Sequence, residues 1–229
     1  MKLLFIPGSG GGKEEWYYQT RHFPGSEAVV LPGHPEGEPC TSIDEYVEWL
    51  RGYIQKKCYQ DVVLAGHSMG SAIALLYGLK YGTELKALVL IGSGARLRVL
   101  PAMLEMLRKM TPTDPAWMKF AEDFYQNVTP EVKQVVLQER LQIGLAVTLN
   151  DLLCCDKFDI MDKVSAIKLP TLLICSSEDQ MTPVKYTKFL ADKIENSVQV
   201  IIPGGTHWVY LEKPSEVNRV IEEFLAHLS

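Results

Sequence analysis

Apolar residues in this 229-residue chain follow two different periods. Six short runs bounded by turn residues, at 2–6, 28–31, 62–65, 87–91, 171–175 and 198–202, are apolar nearly throughout. Runs of that length without polar alternation read as strands buried on both faces. Between them, apolar positions recur every three or four residues. Ile43, Tyr46, Val47, Leu50 and Ile54 share one helical face, and Ser42 with Glu45 forms a capping box ahead of it. The last helix opens near Pro214 and turns Val217, Val220, Ile221, Phe224 and Leu225 inward. Strand alternating with helix predicts an α/β fold: about six parallel strands, doubly wound, with ligands at the carboxyl ends of the strands.

The alternation lapses once. Between Gly94 and Lys163 no strand pattern occurs, while helix starts do, at Asp114 before Pro115 and at Thr129 before Pro130. The predicted organisation is therefore a core made of residues 1–94 and 164–229, with an all-helical cap, 95–163, inserted in it. The cap is rich in large apolar side chains, among them Met103, Met106, Trp117, Phe124, Leu145 and Leu152. Most of these are expected to pack the cap helices together and some to line a pocket. Asp151, Asp156, Asp159 and Asp162 are expected to face solvent.

Composition narrows the class further. At 47% apolar and 22% charged, the chain is long enough for one sizeable core plus an insertion. A net charge of −5 offers no basic face for nucleic acid, and no apolar stretch of 18 residues could span a bilayer. The apolar start is shorter than the roughly 7–15 residues of a signal-peptide core and reads as the first strand. Five cysteines, an odd number with no C-x-x-C spacing, suit reduced thiols and a cytoplasmic location. The pattern leaves monomer and homodimer equally open.

Chemistry enters at Gly66-His67-Ser68-Met69-Gly70, set between an apolar run and a small-residue helix. The bare G-x-S-x-G pattern arises by chance in roughly one chain in ten of this length, so its context decides. A serine at a tight strand-to-helix turn has a strained backbone and an exposed hydroxyl, and the flanking glycines remove the side chains that would collide there. A hydroxyl becomes a nucleophile only if a base can reach it. His67 and His227 are badly placed, His22 lies in a polar loop, and His34 in Leu31-Pro32-Gly33-His34-Pro35 reads as structural. His207, in the loop after the last strand, remains. A carboxylate must orient it. Asp179 follows the fifth strand, with Glu178 one register away as the competing choice, while Gly92-Ser93-Gly94 after the fourth strand offers no acid.

With the order Ser68, Asp179, His207, the chain resembles the α/β-hydrolase family over essentially its whole length. Asp179 with Pro183 resembles that family's D-x-x-x-P, Gly204-Gly205-Thr206-His207 its G-x-x-H turn, and Pro7-Gly8-Ser9-Gly10 stands where H-G-x-G is usual. The resemblance implies an oxyanion hole made by the backbone N–H groups of Ser9 and Met69, with Pro7 departing from the usual histidine. Because the first strand already leads into the oxyanion loop, the resemblance implies a trimmed sheet, expected without the two N-terminal strands common in the family. The implied function is serine-dependent hydrolysis of small to medium apolar carboxylic esters through an acyl-enzyme, with no metal or cofactor. Two alternatives share the fold. One is carbon–carbon hydrolysis of a diketone-like acid, which needs a cation such as Arg96, Arg98 or Arg140. The other is a ligand-binding receptor with little turnover. Ser68 excludes the aspartate-nucleophile dehalogenases, and Trp208 stands where hydroxynitrile lyases carry lysine.

Overall fold

The computed structural model describes residues 1–228, and its strands form one sheet in the order β2-β1-β3-β4-β5-β6, every neighbouring pair parallel. The strands are β1 (Lys2–Ile6), β2 (Glu27–Ala28), β3 (Val62–His67), β4 (Leu85–Ile91), β5 (Thr171–Ser176) and β6 (Ser197–Ile202). Helices α1 (Tyr17–His22), α2 (Ile43–Lys56) and α3 (Met69–Tyr81) precede β4. Three more, α4 (Pro101–Lys109), α5 (Pro115–Asp123) and α6 (Pro130–Lys157), lie between β4 and β5. The chain closes with α7 (Val184–Lys193), α8 (Val209–Glu212) and α9 (Pro214–Ala226).

Alternate side chains of the inner strands enter opposite cores. Leu4, Ile6, Leu64, Leu88 and Leu90 pack with α2, α3 and Leu190 of α7. Leu3, Phe5, Val63, Ala65, Val89 and Ile91 pack with Trp16, α8 and α9. Burial on both faces explains the continuous apolar runs. All five residues assigned to the inner face of α2 are buried, whereas in α9 Phe224 and Leu225 reach only half burial. Ser42 Oγ accepts from the Glu45 N–H at 3.1 Å, but Glu45 reaches back to the Thr41 N–H, one residue before the cap. Asp114 caps α5 by accepting from the Ala116 N–H at 2.8 Å. Thr129 does not cap α6; its hydroxyl lies 3.0 Å from that of Tyr18.

The edges depart from expectation. The run at 28–31 pairs only through Glu27–Ala28, plus the Val29 N–H to Phe5 O, because β1 ends at Ile6 and Pro7 offers no donor to extend the ladder. β6 covers the other edge with Val198 and Ile201 exposed, so it is half-buried. The inserted helices carry a small apolar cluster of their own, with Leu104, Leu107, Trp117, Leu145 and Leu152. α6 is bent at Gly144, whose φ of 86° and ψ of 175° fall outside the helical range and are tolerated by glycine almost alone. Among the described residues no helix is long and apolar enough to cross a membrane.

Candidate active site

β3 runs into α3 through Ser68, which has φ 52° and ψ −114°. A non-glycine residue held there stores strain of order 1–3 kcal/mol, which the surrounding packing must offset. The two glycines make the turn possible: a Cβ on Gly66 would run into the Gly70 carbonyl, and one on Gly70 into the Ile6 carbonyl. The Ser68 N–H donates to Ile91 O at 3.0 Å, and its carbonyl accepts the Ser71 hydroxyl at 2.6 Å.

Asp179 and His207, from the loops after β5 and β6, meet beside this turn. His207 Nδ1 lies 2.7 Å from Asp179 Oδ2, both side chains being at most 3% exposed. Asp179 also accepts from the N–H groups of Met181 and Thr182 and from the Thr182 hydroxyl, each at 2.8 Å. Burial alone would push this carboxyl up. The His207 charge and hydrogen bond and the Thr182 donors outweigh burial and hold it well below the usual carboxylate range. Of the two neighbouring acids, Glu178 is exposed, and it is Asp179 whose carboxylate meets His207. His207 Nε2 is buried and has no partner among the described residues. Gly92 gives the ring room, since a Cβ there would stand 3.0 Å from His207 Cε1.

His207 lines a cavity that Ser68 and Ser9 also line, together with Leu97, Val99, Phe124, Leu152, Met181 and Trp208. Its volume is about 60 Å³, where a water needs about 10–15 Å³, so it admits a short chain. None of Met103, Met106, Met110 and Met118 lines it: Met103 and Met110 join the helical cluster, while Met106 and Met118 are exposed. The N–H groups of Ser9 and Met69 donate to no partner among the described residues. Met69 opens α3, where such orphan donors and the positive helix end suit an anion.

Several residues stand elsewhere than the sequence suggested. His67 does not leave the site; it lines the cavity, with Nε2 3.0 Å from His207 O and Nδ1 3.2 Å from the Tyr210 hydroxyl. Burial, with the His207 charge beside it, holds its pKa well below the ordinary value, so it stays neutral. Asp151 does not face solvent but is fully buried. It accepts from the Gly10 N–H at 2.8 Å and the Tyr46 hydroxyl at 2.9 Å, and lies 2.9 Å from His34 Nε2. Asp156 is half-buried and accepts the Val99 N–H, whereas Asp159 and Asp162 are exposed. Arg140 is 2% exposed, 3.6 Å from Glu15 and stacked on Phe124. Glu15 and Thr182 had no local signal: Glu15 matters through contacts with distant segments and Thr182 through a turn that only the fold defines, while Arg140, a candidate free cation in the sequence, is paired with Glu15. Cys155 also lines the cavity, but burial pushes its thiol up to about 12, so the reactive thiolate is absent at neutral pH.

Comparison with known proteins bears on the family and the fold. Residues 3–220 match the model of a family described as "Alpha/beta hydrolase family". A solved structure of a thermophilic esterase is 33% identical with a TM-score of 0.85, covering 99% of this chain and 90% of that one. "Putative esterase/lipase 2" of Mycoplasma pneumoniae is 29% identical over 88% of this chain and 78% of its own length. "Lipase 1" of Psychrobacter immobilis is 29% identical over 87% of this chain and 68% of its own.

Proposed function

Because the chain belongs to the alpha/beta hydrolase family, with esterases among its relatives, we propose that it is a serine hydrolase of small to medium apolar carboxylic esters. The observation that carries this reading is His207, which lines one cavity with Ser68 while Asp179 fixes its Nδ1 and its Nε2 stays buried without a partner. With Nδ1–H committed to a carboxylate, Nε2 is the lone pair that can take a proton. Nε2 removes the Ser68 proton as Oγ bonds to the ester carbonyl carbon. The Ser9 and Met69 N–H groups then hold the oxyanion. Collapse breaks the carbon–oxygen bond, and His207 delivers its proton to the leaving alcohol. Water, deprotonated by His207, attacks the acyl-Ser68 ester, releasing the acid and returning the proton to Ser68. Substrate bound at Ser68 would draw Oγ and Nε2 into hydrogen-bond reach, as catalytic hydrogen bonds commonly tighten in the Michaelis complex. The helices between β4 and β5 act as a cap whose Phe124 and Leu152 shape the acyl site. The protein works in the cytoplasm.

The carbon–carbon alternative needs a free cation beside the substrate. Arg98 and Arg140 both line the cavity, but Arg98 is exposed and donates to Asp156 O, while the charge of Arg140 is matched by Glu15 and its guanidinium already donates to Ser9 O and the Tyr125 hydroxyl. That commitment favours the ester reading. Replacing Ser68 tests it: S68A should lower p-nitrophenyl butyrate turnover by about 10⁵–10⁶-fold, and retention of a tenth of the rate would sink the assignment. Wild-type turnover that stops after one equivalent would favour a receptor.

A further inference from the structure

Two charged side chains of α6 meet a single peptide unit of the loop after β1. Arg140 Nη2 donates to the carbonyl oxygen of Ser9 at 3.1 Å, and Asp151 Oδ2 accepts from the N–H of Gly10 at 2.8 Å. Both groups belong to the planar peptide between Ser9 and Gly10, whose oxygen and hydrogen point opposite ways. Each pole is therefore held by a charge of complementary sign, and rotation of that plane breaks both bonds. Gly10, at φ 60°, has no side chain to keep α6 away; a Cβ there would overlap the Thr148 side chain.

The two charges come from opposite sides of the break at Gly144. In an unbroken helix they would share one face about 16 Å apart along the axis, too far to grip one peptide comfortably. The kink brings both within reach. Each charge is also fixed from behind, Arg140 by Glu15, Tyr125 and Phe124, Asp151 by Tyr46 and His34. Burying a charge costs several kcal/mol unless it is well paired, and here both paired charges converge on the same backbone unit.

We propose that Arg140 and Asp151 are positioning residues that fix the plane of the Ser9–Gly10 peptide and so aim the neighbouring Ser9 N–H at the oxyanion. The inference rests on the hydrolase reading above, in which that N–H is a donor to the transition state. It makes the oxyanion hole a joint product of the start of α3, which supplies the Met69 donor, and of α6, which sets the Ser9 donor. Displacing α6 would then change kcat without touching Ser68 or His207.

The test pairs amide hydrogen exchange with kinetics in Arg140→Gln, Asp151→Asn and Arg140→Lys. Exchange needs no activity, so it reads the clamp whether or not the hydrolase reading stands. Exchange at residues 8–12 should rise by about tenfold or more in Arg140→Gln and Asp151→Asn while β3 and β4 stay protected. On p-nitrophenyl acetate kcat should fall on the order of 10- to 100-fold with KM within about twofold. Affinity for a trifluoromethyl ketone, which presents an oxyanion, should fall in parallel with kcat. Arg140→Lys, which keeps the charge opposite Glu15, should recover most of both losses, and it serves if the other variants fail to fold. Unchanged exchange at 8–12 in a folded variant overturns the clamp. Faster exchange with unaltered kcat and unaltered ketone affinity overturns the Ser9 assignment, and with it the positioning role. Failure of the hydrolase reading itself is seen separately, in S68A.

Discussion

Asp179 and Asp151 are both buried carboxylates that meet a histidine, yet the two regions that hold them are built differently. Asp179 takes three of its four hydrogen bonds from residues two and three positions away, and only His207 comes from afar. Asp151 takes all of its bonds from distant chain: Gly10, Tyr46 and His34. A site wired locally survives small shifts of the elements around it. A site wired across three segments exists only when those segments are docked. The difference teaches which part of the molecule sets the chemistry and which part ties the inserted helices to the core.

The contrast breaks most sharply under isosteric change at Asp179. An asparagine at this position would keep the turn to Met181 and Thr182 but could not hold His207 with the proton on Nδ1, so the wrong nitrogen would face Ser68. D179N should lower kcat by about 10⁴-fold and lower Tm at neutral pH by the contribution of the lost charge, measured by ester turnover and calorimetry on the same preparation. The charge itself has a pH signature. Because the folded-state pKa is lowered, the stability that ionised Asp179 contributes is present above its unfolded value of about 3.9 and is lost as pH falls through the folded one. Wild type and D179N should therefore converge in acid. A variant that loses most of its stability at pH 7 while retaining turnover would invert the comparison.

At Asp151 the larger effect should be on the fold. D151A removes one carboxylate from three buried donors, two of them on segments with no other tie to α6 that involves a charge. Breaking such a buried pair costs about 3–5 kcal/mol, which for a chain of this size lowers Tm by roughly 6–20 °C. Urea unfolding of D151A and wild type measures it directly. A loss below about 1 kcal/mol, the usual range for an exposed pair, would mean that Asp151 is no tighter a tie than a surface contact.

The same contrast explains what the sequence made legible. Ser68, Asp179 and His207 each follow a strand within a few residues, and the sheet dictates that those loops share one rim, so their convergence could be inferred from order and spacing. The choice of Asp179 over Glu178 needed the turn in which Asp179 accepts two backbone N–H groups. Asp151 and Arg140 sit in a helix where polar residues ordinarily face solvent, and nothing within ten residues reveals a partner in the loop after β1. Nothing around Gly144 in the sequence marks it as a break; that it holds φ 86° is a property of where the two halves of α6 dock. The short β2 and half-exposed β6 were read as buried runs because apolar composition does not tell an edge strand from a central one.

Glu139, next to Arg140, gives the smallest effect and the one whose sign is least expected. Its carboxylate accepts the Glu14 N–H at 2.8 Å, yet burial comes first and the charges of Glu15 and Glu14 add to it, raising the pKa to about 7. For an acid raised in the folded state the linkage runs opposite to Asp179. Between about pH 4.3 and pH 7 the unfolded chain has released this proton and the folded chain has not, so stability falls as pH rises through that window. Glu139 is partly open to solvent, which screens the penalty to about 1 kcal/mol, or roughly 2–4 °C in Tm. A glutamine in its place can still accept the Glu14 N–H and never ionises. E139Q should therefore match wild type at pH 4 and exceed it by that margin at pH 8, read from Tm at the two pH values. An equal offset at both would assign the effect to packing rather than to charge at the junction of α6 with the loop after β1.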